Sequence, residues 1–304
     1  MKIAVILVNY NGRQYNTACI ESLLHQQDFS GEMRIIIVDN ASGDDSMDIL
    51  QKRYGDDERI ETVLLDDNYG FSRANNAGIS RAQTWGADHY LLLNNDTEAE
   101  EDMLSQLAAC AARHPGCMIA PKIYYSDCRD VLWAAGGAVS PLIRKVRHIG
   151  LDRKDEGQFD VECQIGFATG CCLWIPKAVV ERAGVLDERF FLYYEDTEYS
   201  FRLGKLGIGI WYCPQARLYH KVGASSRGAD SPLCAYYITR NWLLCNRIHL
   251  GIRYPLFLIY YGVNRTACCA LWMLRGRRDL AKAAWRGIRD YRRKVFGRAG
   301  YGRQ

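Results

Sequence analysis

The chain has 304 residues, 48% hydrophobic and 24% charged, enough for one large globular domain with an appendage or for two modest ones. The formal net charge of +4 hides an asymmetry: 15 of the 39 Lys and Arg but only 2 of the 35 Asp and Glu lie from Arg240 onward, so the last 65 residues carry +13 and the first 239 carry −9. Twelve Cys without a C-x-x-C spacing read as small buried hydrophobes rather than a zinc or disulfide framework, and the short apolar run Met1 to Val8, with no small-residue cleavage site behind it, argues against a secretory signal and points to the cytosol.

The opening "KIAVILVNYNG" is a β-branched apolar run closed by a Tyr-Asn-Gly turn, the pattern of a buried parallel strand. Ile20, Leu23 and Leu24 then recur at helical spacing, "RIIIVDN" reads as a strand and "SMDILQKRYG" as a helix. The alternation continues through "IETVLL", the helical "SRANNAGISRAQTWG" and "HYLLLNND". Strand and helix in turn predict a mostly parallel α/β sheet whose ligands sit beyond the C-terminal strand ends. Those ends are polar, Asn9-Tyr10, Asp39-Asn40 and Asn94-Asn95-Asp96, and should converge on one crevice. A helix follows over Glu100 to Arg113, then strand-like pieces from Cys117 to Val139. "GLDRKDEGQFD" reads as a loop, mobile unless something binds it, strands resume at "VECQIGFATGCCLWIP", and Pro176 opens a helix. From Tyr236 the chain is Arg- and aromatic-rich and helical in pattern, with a boundary near Ser231-Pro232. These breaks give segments 1–98, 99–231 and 232–304.

The turn "NYNGRQ" lacks both G-x-G-x-x-G and a Walker loop, so a bound phosphate must be held otherwise, and a divalent cation is the substitute. Asp96 stands just past an apolar strand, where a carboxylate can bind Mg²⁺ or Mn²⁺; alternatively Asp96 or Thr97 caps the helix that "EAEED" begins. His220, after another strand-like run, is either a second ligand or a satisfied structural residue.

These pieces together resemble the family 2 glycosyltransferases, inverting enzymes of GT-A fold that use nucleotide-activated sugars. The likeness rests on "VNYNG" (8–12), "VDNASGDDS" (38–46), "NYGFSRANNAG" (68–78), "LLLNND" (91–96), "GQFD" (157–160), "ATGCCLWIP" (168–176), "LDERFFLYYEDTEYSFRL" (186–203), "YHKVGASS" (219–226) and "YYITRNWLL" (236–244), in that order. It is nearest to bacterial members that add rhamnose or related sugars to cell-envelope glycans. The resemblance implies that Val8 and Tyr10 line the nucleobase pocket, that Asp39 bonds the base or ribose, and that Asn68, Gly70, Arg73, Asn76 and Asn95 lie along the nucleotide. Asp96 ends the family's D-x-D-like metal motif, with Asn94 where many relatives have Asp, and His220 completes the site around Mg²⁺ or Mn²⁺.

The segment "FFLYYEDTEYSFRL" then acquires a meaning. Asp196 falls at the position of the catalytic base, with Glu195 beside it, and the aromatics from Phe190 to Tyr194 would desolvate the pair and raise its pKa toward a useful value. On the opposing reading these carboxylates begin an exposed helix; Glu198 and Arg202 are read as an i,i+4 surface pair. "ATGCCLWIP" would floor the acceptor side: Thr169 and Gly170 allow a sugar to approach, and Trp174 either stacks on it or belongs to the core.

In the tail, Leu280, Ala284, Ile288, Tyr291 and Val295 form an apolar stripe beside a cationic face of Arg278, Lys282, Arg286, Arg289 and Arg293. That pattern suits a helix lying in a membrane interface, or a helical dimer contact. The run from Tyr254 to Leu274 is about long enough to span a bilayer, but Arg265 at its middle would cost roughly 2.5–3.5 kcal/mol, which favours surface association. No nucleic-acid recognition fold accompanies the charge. The expectation is a metal-dependent inverting transferase at the cytoplasmic membrane face, moving rhamnose from dTDP-rhamnose to a lipid-linked or polysaccharide acceptor. The alternatives are a galactofuranosyl or hexosyl transferase using a UDP-sugar, a nucleotidyltransferase, and a non-catalytic glycan-binding scaffold.

Overall fold

Continuous β-branched runs can be buried on both faces only between two layers of helices, and that is where they lie. The structure, a computed structural model, describes residues 1–140, 143–221 and 231–300. Strand and helix alternate through β1 (Lys2–Asn9), α1 (Asn16–Leu24), β2 (Glu32–Asp39), α2 (Ser46–Tyr54), β3 (Ile60–Leu64), α3 (Gly70–Trp85) and β4 (His89–Asn94). Next come β5 (Thr97–Ala99), α4 (Met103–Arg113), β6 (Met118–Tyr125), β7 (Val131–Ala134), β8 (Gly137–Val139), β9 (Val146–His148), β10 (Arg153–Lys154) and β11 (Cys163–Gln164). The chain continues with β12 (Cys172–Pro176), α5 (Lys177–Ala183), α6 (Glu195–Lys205) and β13 (Ile210–His220), and then with α7 (Pro232–His249), α8 (Tyr254–Leu274) and α9 (Arg278–Arg292).

The sheet runs β10-β7-β6-β12-β4-β1-β2-β3. Its β3-β2-β1-β4 half is parallel, β12 lies antiparallel to β4, and β13 runs parallel to β6 and antiparallel to β5 and β11. The period-2 alternation of strand side chains sends Ala4 and Ile6 to one core layer and Ile3, Val5 and Leu7 to the other. The fold expected from the strand-helix rhythm is therefore present, with a helical C-terminus.

Four local expectations change. Thr97 begins a strand paired with His220, not a helix, so neither it nor Asp96 is an N-cap. The segment 150–160 is pinned: fully buried Lys122 pairs with Asp155 at 2.7 Å and with Asp160, and the Tyr212 hydroxyl donates to the Phe159 carbonyl at 3.0 Å. Cys171 and Cys172 are buried as expected, but Cys128 and Cys163 are exposed. Glu198 and Arg202 do pair, yet inside the protein: Glu198 is 3% exposed, and His249 of α7 adds a third member at 3.1 Å.

The C-terminal helices are also more than an appendage. Fully buried Arg240 donates to the Gly297 carbonyl at 2.8 Å, and Asn241 donates to the carbonyls of Leu192 and Tyr193 at 2.9 and 2.8 Å. The apolar stripe of α9 faces inward: Leu280 and Ala284 are buried, and the hydroxyls of Tyr291 and Tyr254 meet at 2.6 Å. It is thus largely spent within the protein and does not offer a membrane-facing surface. Among the described residues, no helix is long and apolar enough to cross a membrane.

Candidate active site

The polar strand ends do converge. Asn9, at the end of β1, donates to Asp39 at 2.8 Å and to Ser46 at 2.9 Å, while its carbonyl accepts from Asn16 at 2.8 Å; Asn16 in turn accepts from Asn95 at 2.7 Å. A chain of amides thus ties β2, β1, α1 and the end of β4 together. Gly12 is required beneath it, since a Cβ there would stand 2.4 Å from both Asn9 Oδ1 and Asn95 Nδ2. Asp39 also accepts from the Ser42 N–H at 3.1 Å and keeps further acceptor capacity. Val8 is half-buried beside it, and Tyr10 stands 50% exposed just beyond.

The start of α3 is stitched to the segment before α6. Gly70 has φ +82° and a Cβ would fall 2.3 Å from the Phe191 carbonyl, which accepts from the Phe71 N–H at 2.8 Å. Asn68 holds this turn, its carbonyl accepting from Asn40 and from the Gly70 N–H, both at 2.9 Å. Arg73 is exposed, its guanidinium 3.7 Å from the Tyr69 ring centroid. Asn76 corrects the expectation placed on it: its amide spans the Leu186 carbonyl at 2.9 Å and the Leu186 N–H at 3.1 Å, and it reaches Glu188 at 3.1 Å. It is a buried strut, with both amide hydrogens and its oxygen engaged by Leu186 and Glu188.

Asp96 is 3% exposed, and among the described residues neither carboxylate oxygen has a hydrogen-bond partner. The pairing of β13 with β5 brings His220 Nε2 to 3.2 Å from Asp96 Oδ1, outside hydrogen-bond geometry, and His220 Nδ1 likewise has no partner among the described residues. Buried carboxylates are normally paired or hydrogen-bonded, so an oxygen pair left bare beside an imidazole fits a divalent cation. Trp133 walls the site, its ring edge-on to His220 at 4.6 Å and to His148 at 4.5 Å.

Glu195 and Asp196 open α6. Two consecutive residues of left-handed backbone, Tyr193 at φ 67° and Tyr194 at φ 74°, turn the chain into α6. Such conformations cost of order 1–3 kcal/mol each and persist only where surroundings enforce them. Here Asn241 grips the carbonyls before the turn, and Tyr194 packs against the aromatic cluster of α7 and α8. The Asp196 carboxylate accepts from the Gly170 N–H at 2.9 Å and from the Thr197 N–H and hydroxyl at 2.6 and 3.1 Å. Burial raises its pKa, while these donors pull back toward the charged form. Glu195 lacks such support: it is 7% exposed with Oε2 unpartnered, and burial followed by the Asp196 charge pushes its pKa well above the ordinary carboxylate range. Of the two, Asp196 is the one built to carry charge.

His148, which no sequence pattern singled out, joins the two halves. It lies within electrostatic reach of both Asp196 and His220, and burial lowers its pKa. Thr169 and Gly170 sit on the same side, half-buried and buried, and Gly170 serves as a donor to Asp196. Trp174 does not belong to the site. It is 0% exposed in the middle of β12, with its indole N–H on His89 at 3.0 Å, so it is core and cannot stack on a sugar. Residues 222–226 of the "YHKVGASS" stretch lie outside the described residues.

A mostly parallel sheet with carboxylates at its strand ends and a C-terminal helical layer is the GT-A glycosyltransferase architecture, and solved structures of that class superimpose on it. GalNAc-T7 with UDP, GalNAc and Mn²⁺ aligns at TM-score 0.65 and 14% identity over 81% of this chain and 48% of that one. S. aureus TarS 1–349 with UDP-GlcNAc aligns at TM-score 0.59 and 17% identity over 97% and 82%. Residues 4–184 match glycosyl transferase family 2, and the chain belongs to that family. Its relatives include a dTDP-rhamnosyl transferase, RfbF, of Shigella flexneri, 24% identical over 87% of this chain and 86% of that protein. A second is the N-acetylglucosaminyl-diphospho-decaprenol L-rhamnosyltransferase of Mycobacterium tuberculosis, 26% identical over 71% and 76%. A third is the low-salt glycan biosynthesis hexosyltransferase Agl10 of Haloferax volcanii, 26% identical over 80% and 75%.

Proposed function

We propose that the protein is an inverting, divalent-metal-dependent transferase that moves rhamnose from dTDP-rhamnose to a lipid-linked or polysaccharide acceptor in cell-envelope glycan synthesis, at the cytoplasmic face of the membrane. The observation that carries the chemistry is the bare Asp96 carboxylate beside His220, set across His148 from a donor-supported Asp196. Rhamnose as the sugar rests on the two rhamnosyltransferase relatives.

Asp96 and His220 would hold Mg²⁺ or Mn²⁺, which when bound supplies positive charge to the departing diphosphate. Asp39 and Tyr10 take the nucleoside, and Arg73 and Asn95 flank its phosphates. Asp196 accepts the proton of the acceptor hydroxyl as that oxygen forms its bond to the anomeric carbon. The bond to the diphosphate oxygen breaks on the opposite face, its electron pair leaves with the nucleoside diphosphate, and configuration inverts in one displacement. Gly170 and Thr197 keep the Asp196 lone pairs aimed. Glu195, held neutral by burial, places no second negative charge beside the base.

A thermal-shift screen of dTDP, UDP and GDP, each with and without Mn²⁺, tests this. The largest Mn²⁺-dependent shift is expected with dTDP. A preference for UDP would move the donor to a galactofuranosyl or hexosyl nucleotide, the second reading, which the Agl10 relative supports. No shift with any nucleotide would overturn the transferase assignment.

A further inference from the structure

With the α9 stripe buried, α8 stands out. Its inner face is packed: Tyr254, Phe257 and Tyr261 are buried, and Arg265 is 8% exposed, its guanidinium 5.8 Å from the rings of Trp242 and Tyr261. The outer face is the anomaly. Leu256 is 51% exposed, Ile259 68%, Val263 69%, Leu271 46% and Leu274 86%, spaced so that one side of the helix carries them all. No exposed position from 255 to 274 bears a charge. A 21-residue helix is about 32 Å long, and soluble proteins rarely leave so continuous an apolar stripe in water.

We infer that the outer face of α8 lies in the headgroup–acyl boundary of an anionic bilayer, parallel to its surface. Charge selects this occupant over a second copy of the chain. The stripe is bracketed by exposed Arg253 at its start and by exposed Arg275 and Arg278 after its end. Two copies pairing α8 on α8 about a twofold axis would run antiparallel and set arginine against arginine at both ends. An anionic surface instead neutralises every one of them while the apolar side chains leave water. A membrane-crossing arrangement is excluded by the inner face, where Arg265 and its aromatic partners are committed to the protein.

Placement gives the contact a consequence. Tyr194, the residue before Glu195 and Asp196, packs into the same aromatic cluster as the inner face of α8. The docking helix is therefore one side-chain layer from the catalytic segment, which suits an acceptor whose reactive sugar is presented from the lipid surface. The docking itself does not depend on the transferase reading; only this choice of a lipid-linked acceptor rests on it.

The test is flotation of the full chain with phosphatidylcholine vesicles, with and without phosphatidylglycerol, alongside light scattering for oligomeric state. Binding to the anionic vesicles is expected, falling at least 10-fold in Ile259→Asp/Val263→Asp and in high salt. Melting temperature and the nucleotide-induced shift should be unchanged in that variant, so failure to bind nucleotide would count against the transferase reading alone. Should the double variant not fold, Leu274→Asp, at the 86%-exposed end of the stripe, gives the same reading, with a smaller but still salt-sensitive loss of vesicle binding expected. Absence of vesicle binding, binding indifferent to the α8 substitutions, or a dimer that the same substitutions dissociate would each overturn the proposal.

Discussion

Lys122 and Glu198 are as deeply buried as Asp96 and Glu195, yet the two pairs are treated in opposite ways. Lys122 is enclosed by Asp155 and Asp160, and Glu198 by Arg202 and His249. Hydrogen bonds from His249 and Arg202 hold the Glu198 pKa below its ordinary value although burial pushes it up. Among the described residues, Asp96 has neither oxygen hydrogen-bonded and Glu195 has one bare. Saturated charges staple the scaffold: Lys122 anchors the 150–160 segment and Glu198 joins α6 to α7. On the proposed function, the under-supplied charges are those that a ligand or a transferred proton completes. The contrast is the one expected if saturated buried charge serves the fold and under-supplied buried charge serves the proposed chemistry.

Substitutions on the two sides should therefore diverge. The largest effect is expected for Asp196→Asn, which should lower kcat by about 10²–10⁴-fold, the usual contribution of a general base, while leaving the nucleotide-induced melting shift intact. A variant that kept its turnover would make the fold a scaffold rather than a catalyst. Next comes Lys122→Met, which takes the buried partner from Asp155 while the more exposed Asp160 keeps its water, and should cost about 1–3 kcal/mol in urea unfolding. Asp96→Asn should do the reverse, leaving the ligand-free protein at least as stable while abolishing the Mn²⁺-dependent nucleotide shift. Equal destabilisation by both substitutions would erase the distinction.

The smallest effect is a pH dependence. Burial and the Asp196 charge raise the folded-state pKa of Glu195, so the native protein keeps a proton that the unfolded chain has released. Stability from that proton is fully present below the unfolded value and is lost as pH climbs through the raised folded value. Glu195→Gln removes the loss, so its melting temperature should exceed that of the unsubstituted protein by roughly 2–4 °C at pH 8 and converge with it near pH 4. Parallel curves across that range would place Glu195 in a hydrated setting.

Much of this was legible in the sequence, and the exceptions are physical. Strand ends such as Asn9, Asp39 and Asp96 could be located because a polar residue after an apolar run marks where a parallel strand leaves the core. The period of the α9 stripe was right, but periodicity reveals that a face is apolar and not what covers it. Here α7 covers that stripe, and the uncovered face belongs to α8, whose continuous apolar run resembled a marginal span. Trp174 was ambiguous because a strand buried on both faces gives no alternation to show which way a side chain points. His148 left no signal, since a short β8–β9 hairpin delivers it from a stretch with no periodic pattern. Asn76 shows the converse: a motif position can mark a structural tie as readily as a ligand contact.

The central claim is that a cation sits at Asp96 and His220, across the crevice from Asp196. Electron paramagnetic resonance titration of Mn²⁺ in the presence of dTDP reads it without requiring turnover. One bound Mn²⁺ per chain is expected for the unsubstituted protein and for Asp196→Asn, with loss of that binding in Asp96→Asn. Binding undiminished in Asp96→Asn would contradict it.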